Sequence, residues 1–226
     1  FFQPFDNITF PLAINFSFSI FPSIVVCIYS KGGNSTLKNL LTFDNQAEMK
    51  IYKDKEDFSK IYPFIPYQFN LLQKVLNSIR THGASGKHLA EGERSMLALF
   101  QESAQKMENK DIGSLIPFNM FYDALEKFID HSHSIVINKA IDNDLLDDFD
   151  VEVLKALFLI KYVKEIKANT TNITTLMINT IDADRISLNE KISKSLLRLV
   201  NQTLIQKNGD IYSFLTDEEQ DINRAI

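Results

Sequence analysis

Lys191, Lys194 and Arg198 stand at i, i+3 and i+7 near the end of the chain, a spacing that puts all three roughly on one side of a helix. Lys207 follows, just before the pair Asn208-Gly209. From Ser187 to Gly209 there are four cations and one anion, Glu190, so this stretch carries +3 in a protein of net charge −5. Such a patch attracts phosphate, which is the sequence-independent part of nucleic-acid affinity. The overall charge gives no general attraction to nucleic acid or anionic membrane, so any contact must be local. The plain alternative is that lysines on a solvated helix face are ordinary, and four cations support few phosphate contacts.

A second place for phosphate chemistry is the loop THGASGKHLAEGERS, with Gly83, Gly86 and Gly92. A Walker A loop needs Gly-x-x-x-x-Gly-Lys-Ser/Thr. Here Gly86-Lys87 is followed by His88, and the first glycine position falls on Thr81. The loop is therefore not a P-loop, and no other stretch of the chain matches the pattern. What it offers instead is Arg94, at the start of the next helix, where a guanidinium fork suits bidentate contact with phosphate oxygens. Elsewhere His131 and His133 are two apart, which on a helix turns them away from each other. The acidic run from Asp142 to Glu152 has no glycine, so it does not fit an EF-hand loop. It reads as a solvated interhelical turn with Asp148 or Asp150 as the cap of the next helix. No Ser/His/Asp or Cys/His arrangement has supporting context, so no catalytic residue is assigned, and no metal site.

The elements that must carry these residues are mostly helices. Ser187-x-x-Glu190 reads as a capping box, followed by Ile192, Leu196, Leu199 and Val200 at helical spacing. Asn208-Gly209, flanked by apolar residues, reads as the centre of a two-residue hairpin turn. Thr216-x-x-Glu219 is a second capping box. Upstream, Leu37, Leu40 and Leu41 predict a short helix. Pro66 is placed to open a helix whose face is Phe69, Leu72, Leu76 and Ile79. A helix over about 91–107 buries Leu97, Phe100, Ala104 and Met107. Another runs from Pro117 with Phe118, Phe121, Tyr122, Leu125, Phe128 and Ile129 on one side. Residues 135–141 continue as helix. Residues 151–167, VEVLKALFLIKYVKEIK, are apolar nearly all round, as expected of a central buried helix. Residues 173–181 form a shorter one. From 151 onward the order is helix, helix, helix, hairpin, helix, which is winged-helix architecture.

The chain has 226 residues, 45% of them hydrophobic, enough to bury a core in one large domain or two small ones. Its single cysteine, Cys27, excludes an internal disulfide and fits a reducing, cytoplasmic setting. Residues 1–36 stand apart. The first thirty hold seven Phe and one charge, Asp6. Pro11 and Pro22 interrupt this run, and no basic residues precede it, which speaks against a membrane span or a signal peptide. It reads as an irregular apolar segment, a membrane or signal element, or sequence foreign to the fold. With no initiating Met, the chain reads as a fragment whose start lies upstream.

Several long strings carry a resemblance. YPFIPYQFNLLQ at 62–73, GERSMLALFQES at 92–103, FYDAL at 121–125, VLKALFLIKYVKEI at 153–166 and YSFLTDEEQDIN at 212–223 resemble BrxC, the P-loop ATPase of BREX bacteriophage-resistance systems, which is related to PglY. The resemblance runs from about Leu37 to Ile226. It implies a mainly α fold, with a helical AAA+-lid-like bundle at 37–148 and a winged-helix domain at 149–226 that ends in a β-hairpin wing. It implies an AAA+-like core upstream that binds ATP and Mg, neither of which this chain holds by itself, since Walker A and B residues are absent. Arg94 is then the candidate nucleotide sensor, and Lys191, Lys194, Arg198 and Lys207 are the candidate nucleic-acid contacts. The implied partners are other BREX proteins, further subunits assembled through the ATPase core, and DNA. A stand-alone winged-helix DNA-binding module and a helical protein-interaction scaffold are the competing readings.

Overall fold

The computed structural model describes residues 36–44, 49–82 and 92–224. The apolar first 35 residues and the glycine loop at 83–91 thus lie outside the described residues.

Leu37, Leu40 and Leu41 are buried on a helical segment at 36–40, as their spacing requires. Asp54 then opens α1 (Lys55–Ile61), its carboxylate accepting from the Asp57 N–H at 2.9 Å. Tyr62–Pro63 is a cis peptide bond. Pro66 is the N-cap of α2 (Tyr67–Thr81), which buries Tyr67, Leu71, Leu72, Val75, Leu76 and Ile79. In α3 (Gly92–Gln105) the inward face is Leu99, Phe100 and Ser103, while Leu97 is exposed. The expected face was therefore turned by part of a helical step. Phe100 fixes the phase, because it packs against Phe64, Phe69 and Phe121 at ring-centroid distances of 4.9, 4.6 and 5.3 Å, and such contacts outweigh burial of one Leu.

The single helix expected from Pro117 is broken into pieces. Phe118 donates its N–H to the Leu176 carbonyl at 2.7 Å before any helix begins. Then come α4 (Met120–Leu125), a 3-10 turn (Glu126–Phe128), and α5 (His131–Ile141). Ile129 is extended between them, and the two histidines lie in the first turn of α5. α6 (Asp148–Ile160) is the central helix, with Val153, Leu154, Ala156, Leu157, Phe158, Leu159 and Ile160 all buried. Its N-cap is Asp147, not Asp148 or Asp150. Asp150 sits at N3 and reaches back to accept the Asp147 N–H at 2.9 Å. The helix ends at Ile160, earlier than its composition suggested. There Lys161 turns toward the C-terminal elements, and tight turns keep Val163 and Ile166 buried.

α7 (Thr170–Leu176) is capped by Asn169 and α8 (Arg185–Asn201) by Asp184. Asp184 displaces the expected Ser187–Glu190 capping box: its carboxylate accepts from both Ile186 and Ser187 N–H, at 3.0 and 3.1 Å. Ser187 therefore lies inside the first turn. α8 buries Ile192, Leu196 and Leu199. β1 (Ile205–Asn208) pairs antiparallel with β2 (Ile211–Phe214), and the register Asn208↔Ile211 makes Gly209-Asp210 the two-residue turn. That is one residue later than Asn208-Gly209, with Gly209 alone taking positive φ, +60°, the place where a Gly-first hairpin turn needs it. Thr216 and Glu219 do form the reciprocal capping box of α9 (Asp217–Arg224), at 2.7 and 3.4 Å. One connected cluster of buried side chains runs from Leu37 to Phe214, and each fully buried Leu or Phe in it is worth about 1.5–3 kcal/mol.

Candidate nucleic-acid interface

α8 and the hairpin position the C-terminal cations. Because Ile192, Leu196 and Leu199 point into the core, the opposite side of α8 faces water. Lys191 and Lys194 are exposed there. The Lys191 ammonium lies 3.9 Å from the ring centroid of Phe149, a cation–π contact that orders the side chain without neutralising it. Lys207 is exposed on β1, opposite Tyr212, and its ammonium is 5.6 Å from that ring.

Arg198 differs from the other three. Its Nε and Nη2 donate to the two carboxylate oxygens of Asp150, both at 2.7 Å. Nη2 also lies 3.1 Å from Asp147 Oδ2. Asp150 is 0 % exposed. Burial pushes its carboxyl up, but the hydrogen bonds and charge of Arg198, with hydrogen bonds from Ser195 and the Asp147 N–H, together hold it below the usual carboxylate range. The guanidinium pKa is raised by the same pair. The fold thus brings two carboxylates from the start of α6 to this cation, and the cationic cluster of the sequence is divided into three exposed lysines and one arginine that ties α8 to α6.

Arg94 lies in the first turn of α3. Its side chain and the glycine loop before it are outside the described residues. Among the described residues, no three His, Cys, Asp or Glu side chains gather as metal ligands, and no helix is long and apolar enough to cross a membrane.

A scan against protein-family models finds no match for the chain, and no solved structure matches it.

Two polar centres had no forecast in the sequence. Lys161, with 9 % of its side chain exposed, donates to the Phe214 carbonyl at 2.6 Å and to Glu219 at 2.5 Å. It thereby joins the end of α6 to β2 and to the first turn of α9. Glu219 is pushed up by burial but held lower overall by Lys161 and the Thr216 N–H. The second centre surrounds Asn172 and Arg185, whose side chains hold the main chain of residues 40–44. Lysine inside an apolar helix was the one available signal for the first. The second depends on contacts across more than a hundred residues, to which periodicity is blind.

Proposed function

We propose that this chain is the lid and winged-helix portion of a BREX-type phage-defence ATPase, and that it couples nucleotide state upstream to contacts made by α8 and the hairpin with DNA or a partner protein. The observation that carries this reading is the C-terminal order α6, α7, α8, hairpin, α9, with Lys191, Lys194 and Lys207 exposed on the third helix and the hairpin. In a winged helix those are the elements that meet nucleic acid. The other support for this reading is the resemblance of five strings, at 62–73, 92–103, 121–125, 153–166 and 212–223, to BrxC. ATP and Mg would be held by a core upstream of residue 37, because this chain has no Walker A sequence. Arg94, at the start of α3, is the residue proposed to sense the nucleotide. The remaining partners on this reading are other BREX proteins and further subunits of the ATPase itself.

Duplex binding at two salt concentrations is the test. Three phosphate contacts predict a fall of about 40-fold in affinity between 50 and 200 mM salt, from a slope of roughly −0.9 per contact. Replacing Lys191, Lys194 and Lys207 by Ala should flatten that slope. Arg198 is left in place, since its removal disturbs the fold. No duplex binding at low salt would remove DNA from the proposal and favour an interaction scaffold. In the full ATPase, Arg94→Ala should slow turnover without unfolding; unchanged turnover would remove the sensor role.

A further inference from the structure

The Ala168 carbonyl accepts the Tyr212 N–H at 2.9 Å, which fastens the turns after α6 alongside β2. A cleft of about 300 Å³ lies between them. Ile160, Val163, Ile166 and Ile211 give it an apolar lining. Lys161, Lys164 and Lys167 reach that lining at steps of three residues. Asp210, in the hairpin turn, is the one carboxylate-bearing residue among those described around the cleft.

The three lysines are not equivalent. Lys161 is committed to Glu219 and to the Phe214 carbonyl. Lys164 and Lys167 are exposed, and neither forms an ion pair with a described residue. Glu165, next to Lys164 in the chain, is taken by Lys74 at 2.9 Å. Lys207 borders the same cleft from β1, because it stands opposite Tyr212, a lining residue, with its ammonium 5.6 Å from that ring. Three cations thus face one carboxylate. Lys191 belongs elsewhere: it rests on Phe149 near the start of α6, whereas the cleft adjoins Ile160 at the helix end. At 1.5 Å per residue those two positions are about 17 Å apart along the axis. The basic surface therefore has two poles, and Lys207 belongs to the second. A cleft rimmed by one sign of charge over an apolar lining concentrates its field outward, and the densest anionic partner for such a rim is a nucleic-acid backbone.

We propose that this cleft is a second phosphate-binding contact for nucleic acid, made by Lys164 and Lys167 together with Lys207. The proposal deepens the DNA reading above and rests on it. Five phosphate contacts replace three, so the salt dependence of binding must be steeper than the patch on Ser187–Gly209 alone allows.

The probe is a fluorescein-labelled duplex of mixed sequence, titrated by anisotropy against the full chain at 50 and 200 mM salt. Five contacts predict a fall in affinity of about 500-fold, against about 40-fold for three. The double variant Lys164→Gln, Lys167→Gln should bring the fall back to about 40-fold. A fall near 40-fold for the unaltered chain, or a slope that the double variant leaves unchanged, overturns the cleft and leaves the DNA reading standing. No binding at 50 mM salt overturns both. Should the double variant fail to fold, Asp210→Asn decides: removing the opposing carboxylate should tighten binding about twofold at 50 mM salt, from a charge contact of several ångströms in water. Unchanged or weaker binding by Asp210→Asn then overturns the cleft.

Discussion

Replacing Arg198 by Ala should destabilise the protein far more than removal of a surface cation does. Asp150 is 0 % exposed and receives two charge-assisted hydrogen bonds at 2.7 Å from this one side chain. Without the guanidinium, a buried carboxylate keeps the Asp147 N–H at 2.9 Å but loses its counter-charge. Removing one partner of a fully buried pair costs about 3–5 kcal/mol. The Arg198 side chain is 36 % exposed, so water screens part of that, and about 2–3 kcal/mol remains as a reasonable size. For a protein of this length, that lowers Tm by roughly 5–10 °C. Urea unfolding of the wild type, Arg198→Ala, Asp150→Ala and the double variant would isolate the pair term. The effect also has a pH sign. The folded pKa of Asp150 lies below its unfolded value, so the stabilisation is complete above the unfolded carboxylate pKa of about 3.9 and is lost as pH falls through the folded one. The deficit of Arg198→Ala should therefore be large at pH 7 and shrink in acid. A loss under about 0.5 kcal/mol at pH 7 would refute the reasoning and place the pair among surface salt bridges.

Two further outcomes follow from single residues. Thr203 has φ +60° at the end of α8, where its N–H bonds to the Val200 carbonyl and the Leu204 N–H bonds to the Leu199 carbonyl. This is a Schellman ending with a β-branched residue where glycine is usual, so Thr203→Gly should stabilise by about 1 kcal/mol in chemical unfolding, after the entropy gain of glycine in the unfolded chain is offset; destabilisation would mean the threonine side chain contributes more than its strain. Lys161→Met removes an ammonium shared by Phe214 and Glu219 and should loosen α9 first, seen as faster amide exchange there than in α6, with little change expected if α9 is held by other contacts.

Local signals in the sequence were reliable where the chain solves its own problem. Thr216 and Glu219 cap α9 as their spacing requires, and Leu37, Leu40 and Leu41 are buried together. Boundaries failed where a distant group competes with a local one. Asp184 wins the cap of α8 over Ser187 because a carboxylate three positions earlier reaches two N–H groups at once. Leu97 points to water because Phe100 joins an aromatic cluster made by residues far away in the chain. α6 stops at Ile160 although its composition runs on, since Lys161 is needed against β2 and α9. Of the candidate site, the exposure of Lys191 and Lys194 was legible from the buried stripe of α8. The carboxylates that claim Arg198 were not, because they lie 48 and 51 positions earlier on a helix start.

The cations of this chain sort by what lies beneath them, and that sorting limits what a charge count can mean. Lys155 holds Glu152 and Asp123, Lys161 holds Glu219, and Arg198 holds Asp150 and Asp147. Arg185 has carbonyl oxygens as its partners. These four sit on α6, at its end, or on α8, and each ties one of those helices to another part of the chain. Lys191, Lys194 and Lys207 instead lie against an aromatic ring or open water. A ring leaves the full positive charge available to a phosphate, whereas a carboxylate cancels it at close range. Within Ser187–Gly209 the nominal charge of +3 thus falls to +1 once Asp147 and Asp150 are placed beside Arg198. Among the described residues of Ser187–Gly209, nucleic-acid contact therefore rests on three lysines, which fits weak, salt-sensitive contact that follows the backbone and does not fit tight base-specific recognition.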